Sequence, residues 1–195
     1  MPDSTSHGVV AVAMRACDGR LEASVEGVER LRDESLDAAL ARAVDVRFLA
    51  HVEQLETRAR HDGTLATAYL GLARADMPAT GDWRPVDSSW PADERAFVAA
   101  AQARLRAKLS YTNLGFALAP ELFTISELRE VYVAALGYDV SATNLQRVLV
   151  RRGAIVRADG FRPPGRTGGR PAALFRFASD RLEVTDEFAA LRPPR

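Results

Sequence analysis

The stretch Phe123-Thr124-Ile125-Ser126-Glu127-Leu128 carries the signals that begin a helix. Thr124 can accept a hydrogen bond from the backbone of Glu127, and the Glu127 carboxylate can reach back to the backbone of Thr124. The apolar residues at the two ends of the stretch can form a hydrophobic staple. Gly137 is predicted to end the helix, because glycine readily adopts the left-handed backbone conformation of helix C-termini.

A second helix and a β-hairpin are predicted to follow. Ser141 is placed to cap a helix over residues 142–152, and Gly153 would end it. A β-run at residues 154–157 and another at 172–177 flank a loop rich in glycine, proline and arginine. Two helices followed by a hairpin with a basic tip predict a winged helix-turn-helix, whose second helix enters the major groove of DNA.

The predicted second helix has an apolar face and a basic face. At 100° per residue, Leu145, Val148 and Leu149 share the face that would pack on the core. The helix contains several arginines and no acidic residue. Between residues 143 and 176 there are eight arginines and one acid, Asp159. Because arginine makes bidentate hydrogen bonds with phosphate and guanine, this segment is predicted to bind double-stranded DNA.

The candidate DNA-binding residues fall into two groups with different expected partners. Arg147, near the centre of the outward helix face, is expected to contact base edges in the major groove. Arginines in a flexible wing loop are expected to contact phosphate or the minor groove, because loose geometry does not favour bidentate base contacts. The candidates are Thr143, Asn144, Gln146, Arg147, Arg151 and Arg152 in the helix, and Arg162, Arg166 and Arg170 in the wing.

The charge distribution, the cysteine and histidine content and the length of the apolar runs limit the classes of protein to which this chain can belong. The zero net charge hides a balance of −5 in residues 1–90 and +5 in residues 91–195. This asymmetry suits a sensor domain joined to a nucleic-acid-binding domain, and it also suits a protein with an acidic surface and no partner. Cys17 is the single cysteine, and the three histidines are scattered, so no metal site is predicted. No apolar run is long enough to span a membrane, and no signal peptide is recognisable, so a cytoplasmic location is expected.

The rest of the chain is predicted to contain both strands and helices. A proline- and glycine-containing connection at residues 77–93 is expected to be ordered, because Trp83 and Trp90 would anchor it. No phosphate-binding loop, nucleophile elbow or dinucleotide fingerprint is present, and no catalytic residue is assigned. The predicted strands are residues 9–14, 21–25, 52–57 and 64–72, and the further predicted helices are residues 35–46, 94–110 and 181–191.

Several segments resemble the Nudix-related transcriptional regulators, bacterial repressors of NAD-metabolism genes. The resemblance is carried by residues 123–132, by Asn144-Leu145-Gln146-Arg147 and by Gly169-Arg170-Pro171-Ala172-Ala173-Leu174-Phe175-Arg176-Phe177, and upstream by residues 52–57, 68–72, 83–86 and 105–112. It implies an α/β (α+β) chain in which a degenerate Nudix-like domain precedes a winged helix-turn-helix. The expected divisions are a sensor and dimerisation domain at 1–92, a linker helix and connection at 93–119, and the DNA-binding domain at 120–195.

The chain departs from the resembled family at the Nudix box. That box, G-x5-E-x7-R-E-U-x-E-E-x-G-U with U aliphatic, uses glutamates on one helix to hold a divalent metal against a diphosphate. Glu34, Arg42 and Val44 fit the pattern. The other glutamates of the box fall on Ala43, Val46 and Arg47, and its glycines fall on Val28 and Leu49. The family also more often has an aromatic residue and an arginine at the positions of Leu145 and Gln146. Metal-dependent catalysis is therefore not expected.

The resemblance implies a DNA-binding transcriptional regulator, a repressor, with a non-catalytic Nudix-like domain linked to NAD or ADP-ribose metabolism. A homodimer and an ADP-ribose-like nucleotide effector are the implied partners; no cofactor is expected, and ligand-binding residues are not assigned. Two alternatives remain open at this point. One is a divergent Nudix-type nucleotide-diphosphate hydrolase, and the other is a winged-helix module that contacts proteins.

Overall fold

Two largely buried strands form the centre of the N-terminal part of the chain. They are β1 (His7–Cys17) and β4 (Leu65–Leu72), which pair in parallel. In β4 every residue after Leu65 is buried, so this continuous apolar run marks a strand covered on both faces. The computed structural model describes residues 6–77, 81–163 and 171–186.

Three further strands complete a five-stranded mixed sheet. They are β2 (Arg20–Glu29), β3 (His51–Ala59) and β5 (Arg84–Pro85), and the strand order is β3-β4-β1-β2-β5. The pairs β3–β4 and β2–β5 are antiparallel. All four predicted N-terminal strands are confirmed, with observed ends that lie beyond most of the predicted ones.

The first helix, α1 (Leu36–Ala43), is shorter than predicted. Ser35 caps it by accepting a hydrogen bond from the backbone of Ala38, and Ala39 and Leu40 pack on the sheet. The prediction that this helix reaches residue 46 is wrong, because Val44 is extended. Asp45 instead accepts a hydrogen bond from the backbone of Arg47 at 3.1 Å and begins a separate 3₁₀ turn, Val46–Phe48.

The long helix α2 (Ala92–Tyr111) confirms the helix predicted at 94–110. Its first part packs beside β3: Arg104 ion-pairs with Glu53 at 3.3 Å and donates to the Leu55 carbonyl at 3.2 Å. The chain divides into two units within this helix. The first unit ends at Arg104, and the second begins at Leu105 and also includes the short segments Ala16–Arg20 and Arg74–Asp76.

The second unit contains the predicted helix pair and hairpin. They are α3 (Ile125–Leu136), α4 (Ala142–Arg151), β6 (Ile155–Arg162) and β7 (Ala172–Phe177). The predicted capping box at Thr124 and Glu127 is present. Gly137 ends α3 with φ +77°, which is the left-handed conformation expected there. Phe123 exchanges backbone hydrogen bonds of 3.0 and 2.8 Å with Phe175 and so forms an isolated β-bridge with β7.

The helix predicted at residues 181–191 is wrong for its described part. Residues 181–186 are not helical, and residues 187–191 lie outside the described residues. The side chain of Asn113 takes the backbone groups that a helix would use: it donates to the Arg181 carbonyl at 2.8 Å and accepts from the Glu183 amide at 2.8 Å. Val184 also forms a β-bridge with Thr112. The segment 181–186, which we call the C-terminal strap, therefore runs along residues 111–113.

Within the part of the chain that the structure describes, no helix is both long enough and apolar enough to cross a membrane.

Candidate nucleic-acid interface

The position of α4 is fixed by its cap and by the turn before it. The Ser141 hydroxyl accepts a hydrogen bond from the backbone of Asn144, as the sequence predicts. Arg129 of α3 donates to the Val140 carbonyl at 2.8 Å and pairs with Asp139, which ties the turn to the preceding helix. The orientation of α4 is thus set at its N-terminal end by polar contacts as well as by core packing.

The apolar and polar faces of α4 are arranged as predicted. Leu145, Val148 and Leu149 are all buried. The outward face holds the exposed side chains Thr143, Asn144, Gln146, Arg147, Val150 and Arg151. This face therefore presents amide, hydroxyl and guanidinium groups together, which are the groups that read base edges and bind phosphate.

Arg147 lies at the middle of the outward face and is held by its own helix. Its Nη2 atom donates to Asn144 Oδ1 at 2.8 Å, one turn earlier. Among the described residues, no carboxylate forms an ion pair with Arg147 or Arg151. Both guanidinium groups therefore keep their charge available to a partner. That Thr143, Asn144, Gln146, Arg147 and Arg151 contact DNA stays a prediction.

Arg152 does not lie on this face, and its assignment to the DNA-binding set is corrected here. Its side chain is 2% exposed and forms an ion pair of 2.9 Å with Asp186. The same Nη2 atom donates to the Ser110 carbonyl at 2.9 Å. Arg152 therefore holds the end of α4 to the end of α2 and to the C-terminal strap, and cannot reach DNA in this structure.

The wing is more regular near its base than the sequence suggests. The predicted β-run at 154–157 continues to Arg162, with an irregular pairing between Arg157 and Phe161, where Gly160 has φ +93°. Arg162 is therefore on a strand, not in a flexible loop. Its Nη2 atom lies 3.1 Å from the Glu127 carboxylate and 3.2 Å from the Leu122 carbonyl.

Other wing arginines extend the basic surface. Arg157 and Arg176, which the sequence did not single out, are exposed on β6 and β7. The Arg157 guanidinium lies 5.6 Å from the ring centre of Phe161, which is itself 57% exposed. Arg166 and Arg170 lie outside the described residues, so their predicted role stays a prediction.

In the N-terminal unit, Glu34 and Arg42, which fit the Nudix-box pattern, make structural contacts. Glu34 forms a two-point ion pair with Arg42, with distances of 2.8 and 3.0 Å, and accepts from the Leu31 amide at 2.8 Å. Arg42 also donates to the Glu29 carbonyl at 2.8 Å. Among the described residues, no group of three or more His, Cys, Asp or Glu side chains is placed to hold a metal ion.

This ion pair predicts a pH-dependent contribution to stability. The hydrogen bonds from Arg42 and from the Leu31 amide lower the pKa of Glu34 from 4.5 to about 2. Ionised Glu34 therefore stabilises the folded unit above pH 4.5, and this contribution is lost as the pH falls towards 2. We expect Glu34→Gln to lower the urea midpoint at pH 7 and to lower it less at pH 3. An equal loss at both pH values would contradict the assignment.

Comparison with known proteins finds similarity in the C-terminal region. Residues 115–177 match the family model of the NrtR DNA-binding winged helix domain. The ADPR responsive transcriptional repressor NtrR of Acinetobacter baylyi is 35% identical over 86 residues, which are 44% of this chain and 33% of that protein. The match thus spans about a third of the length of this curated relative.

Solved structures extend the similarity to most of the chain. Shewanella oneidensis NrtR, complexed with a 27mer DNA, has a TM-score of 0.70 at 22% identity and covers 87% of this chain and 92% of that one. A MutT/nudix family protein from Enterococcus faecalis has a TM-score of 0.66 at 15% identity, with coverage of 92% and 90%. The resemblance and the mixed α+β fold inferred from the sequence are therefore confirmed: the chain has the two-part fold of NrtR, a Nudix-like domain followed by a winged helix similar to the NrtR DNA-binding domain.

Proposed function

We propose that this protein is a transcriptional repressor that binds duplex DNA through α4 and the wing. The observation that carries the proposal is the outward face of α4, where exposed polar and basic groups surround Arg147 and no acid intervenes. The match of residues 115–177 to a DNA-binding winged helix supports the same function. The relative from A. baylyi is named a transcriptional repressor, which supports repression as the outcome of binding.

Selection of bound sequences from random duplex DNA tests this proposal. We expect enrichment of a motif with two related half-sites, and binding that weakens steeply as salt rises, because phosphate contacts release counterions. A winged helix that contacts proteins instead would enrich no sequence. Failure to enrich any motif, together with salt-insensitive binding to a protein partner, would favour that alternative.

We further propose that the protein is not a hydrolase. The positions of the metal-binding glutamates are taken by Ala43, Val46 and Arg47, and Glu34 is occupied by Arg42. We expect no release of product from ADP-ribose or NADH with added magnesium or manganese, measured against a heat-inactivated control. Metal-dependent turnover above that control, abolished by Glu34→Gln, would establish the hydrolase alternative.

A homodimer is the expected working form. One winged helix reads only a few base pairs, and two-fold related recognition helices placed one DNA turn apart gain both affinity and specificity. Light scattering at micromolar concentration is expected to give twice the mass of one chain. A mass of one chain, both alone and with DNA present, would contradict this expectation.

The N-terminal unit is proposed to make DNA binding responsive to an ADP-ribose-like metabolite. The support is the relative from A. baylyi, which is named an ADPR responsive transcriptional repressor. Titration of ADP-ribose or NAD into a preformed protein–DNA complex is expected to release DNA. If neither compound changes the affinity for DNA, the response to this class of metabolite is excluded while DNA binding stands.

A further inference from the structure

Asn144 and Arg147 lie one turn apart on α4 and are joined by a hydrogen bond. Arg147 Nη2 donates to Asn144 Oδ1 at 2.8 Å, and both side chains are exposed. Residues three positions apart on a helix are neighbours on its surface, so this bond needs no partner from another element. The backbone amide of Asn144 donates to the Ser141 hydroxyl at 3.4 Å. Arg147 is therefore attached to the capped first turn of the helix.

The group that holds Arg147 is neutral. Three arginines of the second unit are instead paired with carboxylates, and these pairs are Arg129–Asp139, Arg152–Asp186 and Arg162–Glu127. A carboxylate partly cancels the charge that an arginine offers to a partner, whereas an amide oxygen orients the guanidinium and leaves its charge in place. Arg147 is thus oriented without being neutralised.

The bond to Asn144 leaves Arg147 able to make two parallel hydrogen bonds. A guanidinium has five N–H donors, and this bond uses one of those on Nη2. The hydrogens on Nη2 belong to different edges of the guanidinium, one shared with Nη1 and the other with Nε. Whichever of them Asn144 accepts, one edge with a pair of donors stays free. In the major groove, guanine presents a matching pair of acceptors, N7 and O6.

Asn144 also lowers the entropic cost of a contact between Arg147 and a base. An arginine side chain has much rotamer freedom, and immobilising such a side chain on binding weakens the affinity. Arg151, one turn further on, has no hydrogen-bond partner among the described residues and represents an arginine that is not held. Because Arg147 is restricted before DNA binds, less of this cost remains in the complex.

We propose that Asn144 is a positioning residue that holds Arg147 so that Arg147 reads a guanine in the major groove. The inference rests on the proposed function, because it names the base that the outward face of α4 selects. It assigns the Asn144 side chain to Arg147, and not to a bidentate contact with adenine, the base that asparagine reads when it contacts DNA directly.

Competition binding with single-base-pair changes tests this role. The probe is the duplex selected from random DNA, and the penalty at a position is the loss of affinity when that base pair is replaced. The position whose penalty Arg147→Ala removes should carry guanine, with a wild-type penalty of about 5- to 150-fold. Asn144→Ala should reduce the penalty at the same position by about 2- to 10-fold and leave the other penalties unchanged.

Two further variants serve as controls. Asn144→Asp keeps an oxygen acceptor in place, so it should retain the guanine penalty within about twofold, while its charge repels phosphate and weakens binding to every duplex. Val150→Ala changes an exposed neighbour three positions after Arg147 and should keep the wild-type guanine penalty. Thermal unfolding of each variant checks that α4 is intact.

Nuclear magnetic resonance of the full chain without DNA tests the hydrogen bond itself. In the wild type, the order parameter of the Arg147 Nε–Hε group should exceed that of Arg151, because Asn144 restricts only Arg147. In Asn144→Ala the two order parameters should become equal. This measurement does not depend on the proposed function.

Three results would overturn the proposal. The first is an Asn144→Ala variant that keeps the wild-type guanine penalty or loses specificity at another base pair. The second is an Arg147→Ala variant that weakens binding equally to all duplexes, as a phosphate contact would, or that relaxes specificity at a base other than guanine. The third is equal order parameters for Arg147 and Arg151 in the wild type. In each of these cases binding to the selected duplex still supports the proposed function. If no duplex is selected, the proposed function fails and guanine readout with it, whereas the order parameters still show whether Asn144 holds Arg147.

Discussion

Replacement of Arg147 by alanine is expected to remove most of the discrimination between an operator and random duplex DNA, while weak, salt-sensitive binding persists. Arg147 projects opposite the buried Leu145, at the centre of the outward face of α4. A bidentate contact to a base is worth about 1–3 kcal/mol, so the ratio of specific to non-specific affinity should fall about 5- to 150-fold. Competition binding with operator and scrambled duplexes measures this ratio.

Arg151→Ala is the matched control for this experiment. Arg151 is exposed one turn further along the same helix, at its C-terminal end, where a phosphate contact is expected. Its loss should weaken binding to both duplexes by a similar factor and reduce the slope of log affinity against log salt by about one. If Arg147→Ala leaves the specificity ratio intact, α4 is not the reading helix and the assignment is wrong.

Replacement of Arg152 by alanine is expected to act on stability instead of DNA recognition. The change removes the buried ion pair between Arg152 and Asp186, and it removes the donor to the Ser110 carbonyl. Breaking a buried ion pair by removing one member costs about 3 kcal/mol or more. Urea unfolding should show this loss, whereas Arg151→Ala should change the free energy of unfolding by less than about 0.5 kcal/mol.

Measuring DNA binding by Arg152→Ala distinguishes a role of Arg152 in stability from the DNA contact that the sequence predicts. At temperatures where the variant is folded, its salt slope and its specificity ratio should equal those of the wild type. If the variant had wild-type stability and a slope of log affinity against log salt reduced by one, this result would instead indicate that Arg152 contacts a phosphate.

The helix wheel explains why the sequence was informative about α4 but misleading for one residue. The period of 3.6 correctly separates the buried Leu145 from the exposed Arg147. The same wheel puts Arg152 within about 20° of Leu145, in the middle of the apolar face. That signal was present and indicated a buried arginine. Its partner Asp186 is 34 residues away, so only the folded chain could identify the pair.

The predicted and observed elements also differ where a polar side chain, near or distant in the sequence, binds backbone groups that a regular helix would use. The strong helix caps at Thr124 and Ser141 depend on residues three positions apart, and they were predictable. The C-terminal strap could not be predicted, because its backbone groups bind the side chain of Asn113, about 70 positions earlier.

The C-terminal strap also determines where the winged helix can be cut from the chain. The family match ends at Phe177, which is a natural place to truncate an expression fragment. Such a fragment would lack Asp186, and so would contain a buried Arg152 without its counter-charge. It would also lose the backbone partners of Asn113. A fragment that begins at Leu105 and extends through Asp186 retains all of these contacts, and is therefore better suited to crystallisation with duplex DNA than a fragment that ends at Phe177.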